Sequence, residues 1–217
     1  MCLLEESSMS AVDNAVRILL FGDSLTAGYR RFKPSTPYGD ALQAAAEGRV
    51  AVTVSGVPGQ RTKGMVERMN DEFDGVPHES YPIAVLLGGT NDIGFGCGVD
   101  EVVDNLSLLV EGMQSRGSRL VVLLGIPQHH MMYLHRNGVI ARKRKQINDR
   151  LRDMCGDGDD GLLYVDLDGV VPYFEEGSEV PSTAAAHLWD DGLHCSAEGY
   201  AAIGVCVFNA IAAHLER

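Results

Sequence analysis

The chain is 217 residues long, 45% of them hydrophobic and 22% charged, so it can bury one substantial core and needs no second domain. Its formal net charge of −12 and pI near 4.9 argue against nucleic acid as a partner, because an acidic surface repels phosphate backbones. The composition predicts a single domain over residues 1–217, in which residues 1–15 form an N-terminal tail.

The N-terminal segment has neither the basic start nor the apolar core of a signal peptide. No segment is long and apolar enough to cross a bilayer. Five cysteines without a C-x-x-C pair are typical of reduced thiols. The sequence therefore indicates a cytoplasmic protein without stable membrane insertion, although a mature chain that had lost a targeting peptide would look the same.

Short apolar runs alternate with segments of helical periodicity along the chain. The runs, which predict buried strands, are residues 16–21, 50–54, Ile83–Leu87, Leu120–Leu124 and Leu162–Val165. Apolar stripes between them predict helices over residues 38–48, through Met65, Met69 and Phe73, through Val103 to Met113, through Ile140 to Met154, and from Ser196 as cap through Tyr200 to Leu215. This alternation predicts an α/β layer fold with a parallel sheet and right-handed crossovers.

The first strand runs into the stretch Phe21-Gly22-Asp23-Ser24-Leu25. A turn at the carboxyl edge of a parallel sheet would hold Ser24 where open α/β folds bind substrates, near the positive end of a following helix. That position suits a nucleophile. Alternatively, Ser24 or Thr26 caps this helix by accepting a backbone N–H, and the stretch alone leaves both interpretations open.

Three other turns fall at the same edge of the predicted sheet and carry Gly59, Asn91, and the pair Asp191 and His194. Acyl transfer needs a nucleophile, a base, a group that orients the base, and donors for an oxyanion. His194 can act as the base, Asp191 can fix its tautomer, and Gly59 and Asn91 can supply donors. Each residue taken singly could be a turn or cap residue, but their convergence favours a catalytic site.

These motifs resemble those of the SGNH hydrolases, the GDSL esterase and lipase group, over nearly the whole chain. The matching blocks are residues 21–25, 56–62, 89–92 and 191–194. The resemblance implies a flavodoxin-like three-layer α/β/α sandwich with a five-stranded parallel sheet. It also implies a triad of Ser24, Asp191 and His194, with the Ser24 backbone N–H, Gly59 and Asn91 as the oxyanion hole. Ser55 and Cys195 depart from the family pattern, which bears on substrate rather than on activity.

Residues 128–145 contain three further patterns. His129, His130 and His135 could suggest a metal site, but no cysteine or carboxylate lies at matching close spacing, so no metal is expected. Met131, Met132 and Tyr133 are candidates to bind or cover an acyl chain, and an ordinary core-facing loop is an equally good interpretation. The basic run 142–145 is predicted to be a solvated helix face rather than an anion site.

The sequence thus predicts a serine esterase that cleaves a small-molecule carboxylic ester through an acyl-enzyme and needs no cofactor. The same machinery acting on thioesters, lysophospholipids or acetylated sugars is one alternative. A non-catalytic binding or scaffold protein on the same fold is another. Activity is expected to fall at low pH as His194 protonates, and the oligomeric state is not predicted.

Overall fold

The computed structural model describes residues 15–130, 132, 138–156, 161–175, 178 and 180–215. Its centre is an all-parallel sheet in the order β2-β1-β3-β4-β5. The strands are β1 (Val16–Gly22), β2 (Val50–Gly56), β3 (Ile83–Leu87), β4 (Leu120–Leu124) and β5 (Leu162–Val165). This is the strand order of flavodoxin-like doubly wound folds, so the predicted fold class is confirmed.

Helices cover both faces of the sheet. They are α1 (Tyr38–Ala45), α2 (Thr62–Glu72), α3 (Thr90–Gly94), α4 (Val99–Ser115), α5 (Val139–Cys155) and α6 (Ala197–Ile211), with short 3₁₀ helices at Ala186–Leu188 and Ala212–His214. None of the helices in the described part of the chain combines the length and apolar composition needed to span a membrane.

Two apolar cores lie on opposite faces of the sheet, because successive side chains of a strand point to opposite sides. Leu19 and Phe21 of β1 join the core formed with α2, α4 and α5. Ile18 and Leu20 join the core formed with α1 and α6. The central strands are therefore buried on both faces, which is why they read as continuous apolar runs.

The sequence predicted most elements close to their observed bounds. Strands β3, β4 and β5 have the predicted bounds, and Ser196 caps α6 by accepting a hydrogen bond from the Gly199 N–H at 3.2 Å. The last helix, however, ends at Ile211, so Leu215 lies beyond it. Helix α3 was not predicted, because five residues are too few to show a helical period.

The turn after β1 differs from the prediction, since no helix begins at Ser24. Asp23 O accepts from Ala27 N at 3.0 Å and Ser24 O from Tyr29 N at 2.9 Å, but the single turn ends at Gly28. Gly28 has φ +66°, so the chain turns away there instead of continuing as a helix. The missing Cβ lets Pro37 come close, since a Cβ at this position would lie 2.2 Å from Pro37 N. The interpretation of Ser24 or Thr26 as a helix cap is therefore wrong, and no helix dipole acts on Ser24 from this turn.

Candidate active site

Ser24, His194 and Asp191 form a hydrogen-bonded chain at the carboxyl edge of the sheet. His194 Nε2 lies 3.0 Å from Ser24 Oγ, and His194 Nδ1 lies 2.9 Å from Asp191 Oδ2. When Nδ1–H donates to the carboxylate, Nε2 is left as the acceptor for the Ser24 hydroxyl. This geometry can move the Ser24 proton to His194.

Asp191 is fixed by the turn that carries it. Its Oδ1 accepts from the backbone N–H groups of His194 at 2.8 Å and Leu193 at 3.0 Å. Burial raises the pKa of the Asp191 carboxyl, but hydrogen bonds from the His194 ring and from these two N–H groups outweigh it and hold the pKa below its ordinary value. Asp191 therefore faces the imidazole as a carboxylate.

The backbone N–H groups of Ser24 and Gly59 are the two main-chain candidates for oxyanion donors. The N–H groups of Ser24 and Gly59 have no acceptor among the described residues. Gly59 has φ +78° and lies in an exposed turn, where an added Cβ would meet nothing within 4 Å. The left-handed backbone favours glycine at this position, and the role of Gly59 as an oxyanion donor stays a prediction.

Asn91 lies in the first turn of α3, where it connects the turns after β1 and β2. Its Nδ2 donates to Gln60 O at 3.0 Å and to Asp23 Oδ2 at 3.2 Å. The amide is therefore oriented by two acceptors from neighbouring turns. One of its N–H groups would have to leave its acceptor before it could bind a substrate oxygen.

Asp23 is a functional candidate that sequence reasoning missed. It is fully buried, and its Oδ1 accepts from Leu25 N at 2.9 Å while Oδ2 faces Asn91. Burial raises the pKa of Asp23 to about 7; the Leu25 hydrogen bond opposes this shift and the charge of Asp92 adds to it. The available signal in the sequence was the position of Asp23, a carboxyl residue between a buried strand and the candidate nucleophile Ser24.

The turn that carries Asp191 and His194 is held from several sides. His130 contacts the carbonyl oxygen of Gly192 through its backbone N at 2.8 Å and its Nδ1 at 3.0 Å. Asp190 accepts from Arg31 N at 2.8 Å and pairs with Lys33. The Tyr29 ring lies edge-on to His194, with 4.7 Å between centroids. From the sequence, His130 was a candidate only for a metal ligand.

The described residues contain no group of three side chains placed to hold a metal ion. His129 is 2% exposed, and burial lowers its pKa to about 3, with His130 and Arg144 adding to the shift. Its two ring nitrogens have no hydrogen-bond partner in the described part of the chain. His135 lies outside the described residues.

The residues proposed for acyl binding are only partly described. Met132 is 8% exposed and belongs to the core on the α5 side of the sheet, whereas Met131 and Tyr133 lie outside the described residues. Acyl binding by this segment therefore stays a prediction.

The basic run on α5 is a solvated face only in part: Arg142 and Lys145 are exposed as predicted, whereas Lys143 is half-buried and Arg144 is buried. Arg144 is 7% exposed, donates to Ile126 O at 2.8 Å and pairs with Asp168. Lys143 donates to the carbonyl oxygens of Gly96 and Cys97 at 2.9 and 2.6 Å. These two side chains fix loops that follow β4 and α3, which residue type alone could not indicate.

Comparison with known proteins places this fold and site in a family. The GDSL-like lipase/acylhydrolase family model matches residues 20–202. The chain therefore belongs to the GDSL-like lipase/acylhydrolase family, and the predicted resemblance is confirmed. Comparison with curated proteins finds no match.

Solved structures share the fold at low sequence identity. A member of the lipolytic G-D-S-L family from Veillonella parvula is 19% identical, with 91% of this chain and 99% of that chain covered and a TM-score of 0.74. The lipase/acylhydrolase from Enterococcus faecalis is 23% identical, with 91% of this chain and 96% of that chain covered and a TM-score of 0.71. A carbohydrate acetylesterase family member from Sinorhizobium meliloti is 17% identical, with 93% of this chain and 99% of that chain covered and a TM-score of 0.70.

Proposed function

We propose that this protein is a serine esterase that cleaves carboxylic esters through an acyl-enzyme. The observation that carries the proposal is the hydrogen-bonded chain from Ser24 Oγ through His194 to Asp191. Nucleophile, base and orienting carboxylate in this geometry are what acyl transfer requires. Membership of a lipase/acylhydrolase family supports the same reaction class.

In the first half of the reaction, Ser24 Oγ attacks the ester carbonyl carbon while His194 Nε2 takes the hydroxyl proton. The carbonyl oxygen becomes an oxyanion that the N–H groups of Ser24 and Gly59 can stabilise. Asp191 stabilises the imidazolium through Nδ1–H. His194 then gives its proton to the departing alcohol, and the acyl group stays on Ser24 Oγ.

In the second half, a water molecule loses a proton to His194 Nε2 and attacks the acyl-enzyme. A second oxyanion forms at the same donors, and its collapse breaks the bond to Ser24 Oγ. The proton returns from His194 to Ser24, and the acid leaves. No step requires a cofactor.

Asn91 is proposed as the third oxyanion donor. Its contact with Asp23 is the longer of its two hydrogen bonds, at 3.2 Å against 3.0 Å, and is therefore the one we expect to yield to substrate. The remaining bond to Gln60 O would keep the amide aimed at the site.

The experiment for this proposal is a substrate panel run on wild type and Ser24→Ala. The panel contains short-chain aryl esters, a thioester, a lysophospholipid and an acetylated sugar, which separates the alternative substrates. Ser107→Ala on α4 is the matched control, since Ser107 Oγ donates only to Val103 O of its own helix. We expect Ser24→Ala alone to lose aryl-ester turnover; turnover at the wild-type rate by Ser24→Ala would contradict the proposal.

A further inference from the structure

The guanidinium of Arg68, on α2, contacts the ends of two strands and the turn that carries Gly59. Its Nη2 lies 3.2 Å from Gly22 O at the end of β1, and its Nε lies 2.9 Å from the side-chain oxygen of Gln60. Its Nη1 donates to Ser55 Oγ on β2 and lies 3.3 Å from Glu72 Oε2. One side chain thus joins the end of β1, 46 positions away in sequence, to the end of β2 and the turn that follows it.

Each of these segments leads directly to a proposed site residue. Gly22 is followed by Asp23 and Ser24, while Gln60 follows Gly59. The backbone oxygen of Gln60 also accepts the amide hydrogen bond of Asn91. A shift of the Gln60 turn would therefore move two proposed oxyanion donors relative to Ser24.

Arg68 is well suited to hold this arrangement. Its side chain is 17% exposed, and its guanidinium carbon lies 3.9 Å from the centroid of the Phe21 ring, which adds a cation–π contact. A guanidinium presents several donors in one rigid plane, whereas an ammonium is a point charge on a flexible stem. Ser55, one of the two residues that depart from the family pattern, supplies a hydroxyl acceptor in this network.

We propose that Arg68 is a positioning residue for acyl transfer, which sets the distance between Ser24 and the oxyanion donors on the Gly59 turn. This inference rests on the proposed esterase function. It predicts an effect on the transition state, since small displacements of preorganised donors cost rate more than they cost substrate binding. Arg68 itself touches no reacting atom.

The test compares Arg68→Met and Arg68→Lys with wild type in aryl acetate hydrolysis. The control is Arg116→Met, because Arg116 also stacks on a phenylalanine ring, Phe73, and bonds to Asn70 rather than to any site segment. Melting temperature is measured for every variant. Inhibition by a trifluoromethyl ketone, which Ser24 would bind as an oxyanion, is compared with inhibition by the product acid.

We expect kcat of Arg68→Met to fall about 10- to 100-fold with KM changed less than about threefold. Ketone affinity should fall by a similar factor, product-acid affinity should stay constant, and Arg68→Lys should recover little of the loss. An unchanged kcat in folded Arg68→Met, or equal losses in Arg116→Met, would overturn the inference. Equal weakening of ketone and product-acid binding would also overturn it.

If Arg68→Met does not fold, the positioning role of Arg68 is tested with Gln60→Met instead. This change cuts Arg68 off from the Gly59 turn but leaves its pairing with Glu72 and Ser55, and the inference predicts the same loss of kcat. Wild-type kcat in Gln60→Met would overturn the inference while leaving the esterase proposal intact. A wild-type protein that hydrolyses none of the esters in the panel would instead overturn the proposed function, and the inference with it.

Discussion

The two oxygens of Asp191 have different partners, and this division fixes the His194 tautomer. Oδ1 accepts backbone N–H groups, which holds the carboxylate in its turn, while Oδ2 faces His194 Nδ1. Because Nδ1 keeps the proton, Nε2 is the free base toward Ser24. The role proposed for His194 thus depends on the charge state of its neighbour.

Replacing Asp191 by Asn tests this dependence. The amide keeps the shape but its NH₂ group can favour the wrong His194 tautomer, so we expect kcat to fall on the order of 10³- to 10⁴-fold with the fold retained. Asp149→Asn, on the exposed side of α5, is the control and should keep wild-type kcat. Steady-state kinetics with an aryl ester measure both; a loss below tenfold in Asp191→Asn would contradict the assignment.

The same pair predicts the pH dependence of the rate. The pKa of Asp191 is held below its ordinary value, chiefly by the His194 hydrogen bond against the opposing effect of burial, so the carboxylate stays ionised as the solution is acidified. Activity is then lost because His194 takes a proton and ceases to be a base. We expect kcat/KM to fall about tenfold per pH unit on the acidic side, and a flat profile from about pH 4 to 8 would exclude His194 as the base.

Asp23 predicts a pH dependence of stability. Its pKa is raised from 3.8 to about 7 in the folded protein, so between these values the folded state binds a proton that the unfolded state has released. The contribution of Asp23 to the free energy of unfolding therefore falls as pH rises through that window, by on the order of a few kcal/mol.

Asp23→Asn removes that titration. The stability of the variant relative to wild type should rise from about pH 4 to 7 and then level off. Urea unfolding at pH 4, 5.5, 7 and 8 measures the difference, with the exposed Asp104→Asn as control. A difference that is constant with pH, or that changes in the opposite direction, would contradict the buried titrating carboxyl.

At the scale of elements, the packing of α1 against α6 depends on one glycine. A Cβ at Gly204 would lie 2.2 Å from Tyr38 O and 2.8 Å from Leu42 N. Both atoms belong to the backbone of α1 and cannot move alone. The two helices can therefore approach this closely only because position 204 has no side chain.

Gly204→Ala should destabilise the protein by about 1–3 kcal/mol, because overpacking exceeds the gain in helix propensity of about 1 kcal/mol. Gly112→Ala is a matched control within α4, where the new Cβ would meet only the flexible end of Met69. That change is expected to be neutral or stabilising. Chemical denaturation compares the two; a Gly204→Ala variant as stable as wild type would show that the α1–α6 contact tolerates a methyl group.

The apolar pattern of the sequence was informative where an element is buried throughout. Ile83–Leu87 and Leu120–Leu124 are buried at every position, so their sequences read as uninterrupted apolar runs. It failed at the turn after β1, because the close approach of Pro37 to Gly28, which leaves no room for a Cβ, is a tertiary contact. It also missed α3, which depends on its position after β3 more than on any pattern of its own.

At the scale of the whole molecule, the strand order explains why distant residues meet. β1 lies between β2 and β3, so the turns that carry Ser24, Gly59 and Asn91 follow three adjacent strands at one edge. His194 reaches Ser24 across 170 positions of sequence. The sequence could predict this convergence from the order of its motifs, once a parallel sheet was assumed.

The supporting network could not be predicted in the same way. Arg68 lies outside any spacing that signals chemistry, the spacing of His130 suggested a metal ligand instead, and Asp23 is signalled only by its place beside Ser24. The roles of all three follow from burial and from hydrogen-bond partners. Arg68 in particular joins segments 46 positions apart. Such contacts are properties of the packed molecule rather than of local sequence.

The convergence of the turns after β1, β2 and β3 at one edge of the sheet supports the proposal that Ser24 is an activated nucleophile. The most direct measurement is labelling by a fluorophosphonate probe, followed by intact mass and by mapping of the modified residue. We expect one adduct on wild type and on Ser107→Ala, located at Ser24, and none on Ser24→Ala. Folded wild-type protein that remains unlabelled, or Ser24→Ala labelled as fast as wild type, would contradict the proposal and would favour a binding or scaffold role for the same fold.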